Sequence, residues 1–484
     1  MKSIFRPLPL ALLLIIFLQT ANADRSVVNL PKPNIVLIMA DDLGLETMGS
    51  YGGNSYKTPN LDRLAANGAR FEHCYAQPIC TPSRVQLMTG QYNVRNYTKF
   101  GLLPRDEITF AHKLKAQGYA TCIAGKWQLG RQKDAPQHFG FDEALLWQHT
   151  RDGRMKINGT RVDKRYENPI LEKNGEPLAY NDGEFAPDLM VDFILDFIER
   201  KAEQPFLVYY PMILTHCPFV PTPHSEDWDP TSAGSPTHKG DKAYFGDMVE
   251  YVDHLVGKIE AELERHGLLE NTYLIFTSDN GGMPTLPIQV NKGEPYSAGL
   301  NSPLLRGKWD LTEGGIRVPF AVIGPGVEAG SQSNEPIISY DLMPTLADIA
   351  GATDALPNNL DGRSIRPVLK DPDSKIQRPP EGLVFHFPHY NIVGLNEPHS
   401  AIRIGDHKLL KFTSSKRELL FNVADDPSES EDLYEANIAL AGKLNAELET
   451  YLDAVGAEKP EKSNSWKNGR SGATKTLFLS RYPK

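Results

Sequence analysis

The chain has 484 residues, 23% of them charged, and a formal net charge of −10 at pH 7. This acidic balance argues against a dedicated nucleic-acid-binding protein. Four cysteines are too few for a disulfide scaffold in a chain of this length. One pair among Cys74, Cys122 and Cys217 remains open from the sequence, and Cys80 needs a separate explanation.

The first 23 residues have the pattern of a secretory signal peptide. Lys2 and Arg6 begin it, the apolar run PLALLLIIFL follows, and the small residues ANA end at Ala23. The pattern predicts cleavage after Ala23 and a periplasmic or secreted protein, because the apolar run is too short to span a membrane. The rest of the sequence has no apolar run of bilayer length, so we expect no membrane span.

The segments that follow predict an α/β fold with a large mixed, mostly parallel sheet between layers of helices. The run NIVLIMADDLG (34–44) is apolar until it ends in two aspartates, as expected for a strand buried on both faces. Helical patterns alternate with further apolar runs, which is typical of layered α/β proteins. These runs are ATCIAGKW (120–127), FLVYYPMIL (206–214), YLIFTSDNGG (273–282) and RVPFAVIGPG (317–326).

A smaller second domain is predicted after residue 375. QRPPEG has the composition of a linker, and LVFHFP, SAIRIGDHKLLKF and RELLFNV have the pattern of short antiparallel strands. SEDLYEANIALAGKLNAELETYLDAV predicts a closing helix. We therefore expect a large α/β domain at 24–375 and a C-terminal α+β domain at 376–484. Its basic tail, Lys459 to Lys484, is either solvated or faces an anionic substrate.

Two of the predicted strands end in polar residues that could form one oxygen-rich site. Asp41 and Asp42 end the first strand, and Asp279 and Asn280 end a later one. An Asp-Asp pair alone is most often an ordinary polar strand end, but ligands in such sheets gather beyond the carboxyl ends of the strands. Three carboxylates and an amide suit Ca²⁺ or Mg²⁺ better than zinc.

Cys80 lies at the predicted start of a helix. Pro82 fits the first turn, and the helical pattern ends at Gly90. Free N–H groups at a helix start favour anions, and Arg84, one turn on, can donate two hydrogen bonds to an oxyanion. This setting favours a nucleophile over a structural cysteine. A cysteine phosphatase fits poorly, because its loop has Cys-x5-Arg spacing and this chain has Cys-x3-Arg.

CTPSR (80–84) resembles the C-x-P-S-R signature of the type I sulfatases, a branch of the alkaline phosphatase superfamily. Other segments resemble the family in the same order, over nearly the whole mature chain. The resemblance implies a sulfuric ester hydrolase in which a formylglycine-generating enzyme converts Cys80 to formylglycine (3-oxoalanine). The other segments are NIVLIMADDLG, TPNLDRLAANGARF, AGKWQLG, SDNGG, KWDLTEGGIRVP, SYDLMPTLADIAG, DGRSI, RIGDHKLLKF and LFNVADDPSESEDLY.

The resemblance also implies a role for each matching residue. The modified Cys80 would complete a Ca²⁺ site, with Mg²⁺ less favoured, and Arg84 would steady the hydrated aldehyde. Lys126 and Lys308 would bind the sulfate oxygens, and His216 would be the general acid for the leaving alcohol. Without the resemblance, Lys126 and Lys308 would each more often be a solvated lysine, and His216 an ordinary histidine. The implied metal ligands are Asp41, Asp42, Cys80, Asp279 and Asn280.

Gln128 departs from the family pattern. The family reads G-K-W-H-L-G, and this chain reads GKWQLG. That histidine is often assigned as the base that expels sulfate, and glutamine cannot take up a proton near neutral pH. Another group or water could act as the base, turnover could be slow, or the protein could be a degenerate binder. The first alternative is favoured because the other matching positions are intact; loss of a base typically costs about 10²–10⁴-fold.

Substrate-binding candidates lie in the predicted second domain. His386, His389 and Arg403, with His399 nearby, are donors suited to sugar hydroxyls or sulfates, although each is equally suited to a surface role. The predicted function is a secreted sulfatase acting on a sulfated carbohydrate. The alternatives are a phosphodiesterase or phosphonate monoester hydrolase of the same superfamily, and a catalytically degenerate sulfoglycan-binding protein.

Overall fold

The computed structural model describes residues 32–237, 240–283, 301–378, 382–390 and 397–460, with Leu395, Leu479 and Tyr482. The predicted signal peptide at 1–23 and nearly all of the basic tail lie outside these residues. Within the described part, no helix combines the length and apolarity needed to cross a bilayer.

Ten strands form the main sheet, and its five central strands are parallel. The flanking strands pair mostly antiparallel, so the sheet is mixed. Across the sheet the strands are β14 (Ser331–Ser333), β2 (Ala69–Phe71), β13 (Phe320–Ile323), β11 (Thr272–Ser278), β1 (Asn34–Ala40), β10 (Phe206–Pro211), β4 (Ala120–Lys126), β5 (Glu143–Trp147), β8 (Ile170–Lys173) and β9 (Glu176–Ala179).

The continuous apolar runs become the central strands because helices cover both faces of the sheet. Every residue of β1 is buried, with Val36 and Ile38 facing one hydrophobic core and Ile35 and Leu37 facing the other. The helices are α1 (Pro59–Asn67), α2 (Cys80–Thr89), α3 (Phe110–Ala116), α4 (Ala135–His138), α5 (Ala186–Lys201), α6 (Phe245–Arg265), α7 (Glu313–Ile316), α8 (Leu342–Ala350), α9 (Arg366–Lys370) and α10 (Ile438–Ala454). Helices α1, α5 and α6 pack on the first face, and α2, α3 and α8 pack on the second.

The smaller sheet near the C-terminus has four antiparallel strands, and α10 packs on it. The predicted α/β fold with a small C-terminal sheet and helix is therefore confirmed, whereas the boundary at residue 375 stays a prediction. These strands are β16 (Leu383–Phe387), β17 (His399–Ile404), β18 (His407–Phe412) and β19 (Glu418–Asn422). A three-stranded sheet contains β12 (Arg317–Val318), β3 (Cys74–Tyr75) and β15 (Ile337–Ile338), and β6 (Arg154–Ile157) pairs with β7 (Thr160–Asp163).

The predicted strand at 317–326 is divided in the structure. Its first part, β12, pairs with β3, and its second part, β13, joins the main sheet. Pro319 lies between the two parts and has no N–H group with which to continue a ladder. The apolar pattern identified the buried residues but not the change of sheet.

Candidate active site

The ends of β1 and β11 meet because these strands are neighbours in the parallel part of the sheet. Their register pairs Ala40 with Ser278, so Asp41 and Asp279 follow at the same edge. The Asp42 N–H donates to Asp279 Oδ1 over 3.2 Å, and Asn280 Nδ2 donates to Asp42 Oδ1 over 2.8 Å. All four side chains are buried, and Asp42 has a φ of 64°, a strained conformation of the kind found at functional sites.

Three cationic side chains neutralise the three carboxylates. Lys126, at the end of β4, has its Nζ 2.9 and 2.8 Å from the two oxygens of Asp41. Lys308 Nζ lies 2.6 and 2.7 Å from those of Asp42. Arg84 Nη2 donates to Asp279 Oδ2 over 2.8 Å. Each charge is therefore paired, as burial at this depth requires.

The surroundings shift the pKa values of two of these carboxyl groups in opposite directions. Burial opposes ionisation of Asp41, but the charges of Lys126, Arg84 and Lys308 outweigh it and lower its pKa. Burial, reinforced by the negative charge of Asp41, raises the pKa of Asp279 to about 6. An additional positive charge at this site would therefore favour the ionised form of Asp279.

Cys80 is the first residue of α2, and its thiol faces the carboxylates. Cys80 Sγ and one oxygen each of Asp41 and Asp279 all lie within 4.8 Å of one another. The turn before the helix is fixed by Ser83, whose hydroxyl accepts from the Gln77 N–H over 2.9 Å. All four cysteines, Cys74, Cys80, Cys122 and Cys217, are buried and free, so none forms the disulfide that the sequence left open.

Backbone contacts fix the loop that carries Lys308 beside Cys80. The Lys308 N–H donates to Gly282 O over 3.0 Å, and the Trp309 N–H donates to Pro78 O over 2.8 Å. The glycines of SDNGG allow this close approach: a Cβ added to Gly281 would lie 1.8 Å from Gly314 O. This packing places a lysine that is distant in sequence against Asp42.

His216 lies on another side of the same cluster. Its Nε2 is 3.7 Å from Asp42 Oδ2, and its Nδ1 is 2.6 Å from Cys217 O. Because a carbonyl only accepts, Nδ1 carries the proton in the neutral ring and Nε2 is free to take one. Burial, followed by the charges of Arg165 and Lys308, lowers the pKa of His216 well below its usual value. A bound anion would favour the protonated ring.

The donor set fits a hard divalent cation. Asn280 Oδ1 is buried and has no hydrogen-bond partner within the described residues, although its Nδ2 donates twice. This buried acceptor belongs to a side chain that contacts Asp42, and carboxylate and amide oxygens are the ligands that hard divalent cations prefer. The residues present therefore suit a divalent cation that binds oxygen ligands.

Comparison with known families identifies the arrangement. The family model described as "Sulfatase" matches residues 33–352, and the model described as "N-sulphoglucosamine sulphohydrolase, C-terminal" matches residues 307–458. The chain belongs to the sulfatase family. The predicted family and enzyme class, a sulfuric ester hydrolase, are therefore confirmed.

Alignments with similar proteins extend over most of this sulfatase. Human arylsulfatase A is 34% identical over 415 residues, which are 79% of this chain and 75% of the relative. A sulfatase of Formosa agariphila is 30% identical over 512 residues, covering 87% and 89% of the two chains. The solved structure of Ps i-CgsB in complex with k-i-k-neocarrahexaose has a TM-score of 0.71 at 27% identity, covering 89% and 94%.

Gln128 of this sulfatase occupies an unusual position near Lys126. Its φ is 54°, and its Oε1 is buried with no hydrogen-bond donor among the described residues. The side chain has an acceptor without a donor but no group that takes up a proton near neutral pH.

The substrate-binding candidates of the C-terminal sheet separate into two groups. His386 and His389 line a cavity together with Pro78 and Ile79, which directly precede Cys80. Arg403 does not line this cavity. Its Nε donates to Gly405 O over 2.9 Å, and its Nη1 donates to the Tyr75 hydroxyl. His399 is also buried, and its Nε2 accepts from the Leu311 N–H over 3.1 Å.

The sequence did not single out Arg165, whose charge acts on the site. Its guanidinium is the largest electrostatic influence on the pKa of His216 after burial, and it also helps to lower the pKa of Asp41. Arg165 lies between β7 and β8 in KRYENP, which contains no catalytic motif. Only the folded chain brings it toward His216.

Proposed function

We propose that this sulfatase releases sulfate from a sulfated carbohydrate, using a formylglycine formed from Cys80. The observation that carries the proposal is the position of the Cys80 thiol, within 4.8 Å of carboxylate oxygens of both Asp41 and Asp279. Arg84 forms ion pairs with the same two carboxylates, so residue 80 lies beside a cluster of buried cations and carboxylates. The hydrated aldehyde supplies the oxygen that attacks sulfur, and a formylglycine-generating enzyme is the partner that makes it.

The surrounding side chains can stabilise the charges that develop in this reaction. Lys126 and Lys308 bind the sulfuryl oxygens, and Arg84 orients residue 80. As the S–O bond to the sugar breaks, its electron pair passes to the sugar oxygen, and His216 donates a proton there from Nε2. The sulfate charge favours the protonated ring beforehand, which offsets the low pKa that burial imposes on His216.

Calcium is the metal that we propose for this site. Asp41, Asp42, Asp279 and Asn280 would hold it together with residue 80. When bound, the ion supplies positive charge that stabilises the sulfuryl oxygens. Magnesium is less suited, because it requires near-octahedral geometry and usually retains several waters.

Calcium should raise the midpoint of thermal unfolding of the purified protein. Binding to the native state stabilises it by about 2.7 kcal/mol at a hundredfold excess over Kd. Asp279→Asn should lose most of this shift, since it removes a ligand charge but keeps the shape of the side chain. A shift of the same size in Asp279→Asn, or a shift of the wild type by zinc but not by calcium, would contradict the assignment.

Secretion of the enzyme is consistent with a sulfated glycan outside the cell as its substrate. The pattern of residues 1–23 supports export. Ps i-CgsB, at 27% identity, has a solved complex with k-i-k-neocarrahexaose. The cavity lined by His386 and His389 next to Ile79 supports a place for the sugar beside residue 80.

Rates on matched sulfate and phosphate esters test the proposal. We expect protein whose Cys80 is converted to release sulfate from 4-nitrophenyl sulfate and from sulfated sugars faster than phosphate from the corresponding phosphates. A preference for phosphate esters would instead indicate a phosphodiesterase or phosphonate hydrolase. Glycan binding without sulfate release by fully converted protein would indicate a degenerate binder, the alternative that the glutamine at position 128 raises.

Gln128→His should increase kcat, because water is a weak base and histidine can take up a proton near neutral pH. The gain is expected to be up to about 10²-fold. Gln128→Asn, which also cannot take up a proton, is the matched control and should give no gain. Steady-state sulfate release measures the effect; an unchanged kcat in Gln128→His would place the base at another group.

A further inference from the structure

Arg165 is a buried cation without a matching anion. Only 4% of its surface is exposed, and its Nε and Nη1 have no hydrogen-bond partner within the described residues. Its guanidinium stacks on Trp147, with Cζ 4.1 Å from the ring centroid. The nearby Asp163 accepts from the Arg165 backbone N–H over 3.1 Å but makes no ion pair with the guanidinium. An unpaired buried charge is costly unless a ligand satisfies it.

The contacts of neighbouring residues place Arg165 on the His216 side of the active site. Trp147 is paired with Lys126 in the register of β4 and β5, so the ring that supports the guanidinium adjoins the sulfate-binding lysine. The single hydroxyl proton of Tyr166 is shared between two carbonyls, His216 O at 2.5 Å and Ile213 O at 2.7 Å. The segment that carries Arg165 is thus fixed to the segment that carries His216.

This position differs from that of the cations assigned to the scissile sulfate. Lys126, Lys308 and Arg84 all contact the aspartates, whereas Arg165 has no ion pair with any residue of the described chain. His216 protonates the leaving oxygen in the proposed reaction, so the sugar must lie beside it. A guanidinium on that side meets the sugar rather than the sulfate that is removed.

We propose that Arg165 recognises a second anionic group on the sugar, either a carboxylate or another sulfate. The proposal rests on the proposed function and defines its substrate class as carbohydrates with two anionic groups. The guanidinium can donate two parallel hydrogen bonds to two oxygens of one such group, through Nη2 together with either Nε or Nη1. Trp147 holds the guanidinium plane in place by stacking.

Four aryl sulfates test the proposal. 3-Carboxyphenyl sulfate and its methyl ester differ in one carboxylate, and resorcinol bis-sulfate and resorcinol monosulfate differ in one sulfate. In the wild type, kcat/KM should be higher for the charged member of at least one pair, and the pair that responds identifies the second group. Arg165→Met, which keeps an apolar stem on Trp147, should reduce that charged-to-neutral ratio about tenfold or more.

Two further variants make the result specific. Arg161→Met is the matched control, because Arg161 lies on the preceding strand with an exposed side chain that bonds Asp152; it should leave the ratio unchanged. Arg165→Lys keeps the charge without the fork and should reduce the ratio less than Arg165→Met. Thermal unfolding of each variant confirms that it is folded. Ratios in Arg165→Met and Arg165→Lys equal to those of the wild type would overturn the proposal.

A binding measurement separates this proposal from the proposed function. Calorimetry on Cys80→Ala, which cannot turn over, should show that Arg165→Met weakens binding of the charged probe about tenfold or more. Equal affinity with and without Arg165 would overturn the second-anion proposal, whatever the activity. Failure of converted wild-type protein to release sulfate from any of the four probes would overturn the proposed function instead.

Discussion

Cys80→Ala should abolish sulfate release, with a loss of about 10⁶-fold in kcat, the size seen when a hydrolase loses its nucleophile. Alanine cannot be converted to formylglycine, so the attacking oxygen is never formed. The helix should persist, because alanine has the highest helix propensity and Cys80 makes no disulfide. Assays of sulfate release on 4-nitrophenyl sulfate measure the loss, and circular dichroism checks the fold.

Cys122→Ala is the matched control for that experiment. Cys122 is a buried free thiol inside β4 and belongs to the hydrophobic core. Its removal should lower stability through the small cavity it leaves, without removing turnover. Wild-type turnover in Cys80→Ala, or equal losses of kcat in the two variants, would refute residue 80 as the nucleophile.

Lys408→Met should destabilise the protein by about 3–5 kcal/mol, the cost of leaving a buried charge unpaired. Lys408, on β18 of the C-terminal sheet, has its Nζ 2.9 Å from Glu313 Oε1 and 2.9 Å from Glu429 Oε1. All three side chains are fully buried. Burial raises the pKa of Glu429 to about 7. Burial also opposes ionisation of Glu313, but the charges of Lys408, Arg317 and Arg403 together outweigh it and lower the pKa of Glu313. Methionine fills a similar volume but leaves both carboxyl groups without their shared cation.

Lys411→Met, on the same strand, is the control for Lys408→Met. Its Nζ pairs with Glu449 over 2.6 Å at the surface, and such pairs contribute only about 0–1 kcal/mol. Denaturant unfolding should therefore show a much lower midpoint for Lys408→Met than for Lys411→Met. Similar small losses in the two variants would show that the buried cluster does not stabilise the fold as its geometry indicates.

The fold was predictable where burial alone determines the pattern. The runs that became β1, β4, β10 and β11 are mainly apolar because helices cover both of their faces. The hairpins formed by β6–β7 and by β8–β9 were missed, because their strands are short and largely exposed. Asn158-Gly159 and Asn174-Gly175, all at positive φ, were the signal that could have identified both turns.

The site was predictable where residues lie at strand ends or in a helix start. Asp41, Asp279 and Cys80 follow that rule, so the sequence indicated that they meet. The contacts of Arg403 depend instead on packing between the C-terminal sheet and Tyr75, which no local pattern records. Arg165 was missed for the same reason, because its partner Trp147 is distant in sequence and is brought to it by tertiary packing.

Mass spectrometry of the peptide that contains residue 80, taken from protein assayed for sulfate release, tests the central claim most directly. We predict an aldehyde in place of the thiol, in a fraction that rises in proportion to specific activity across preparations. Full activity in a preparation whose residue 80 is entirely unmodified cysteine would contradict the account.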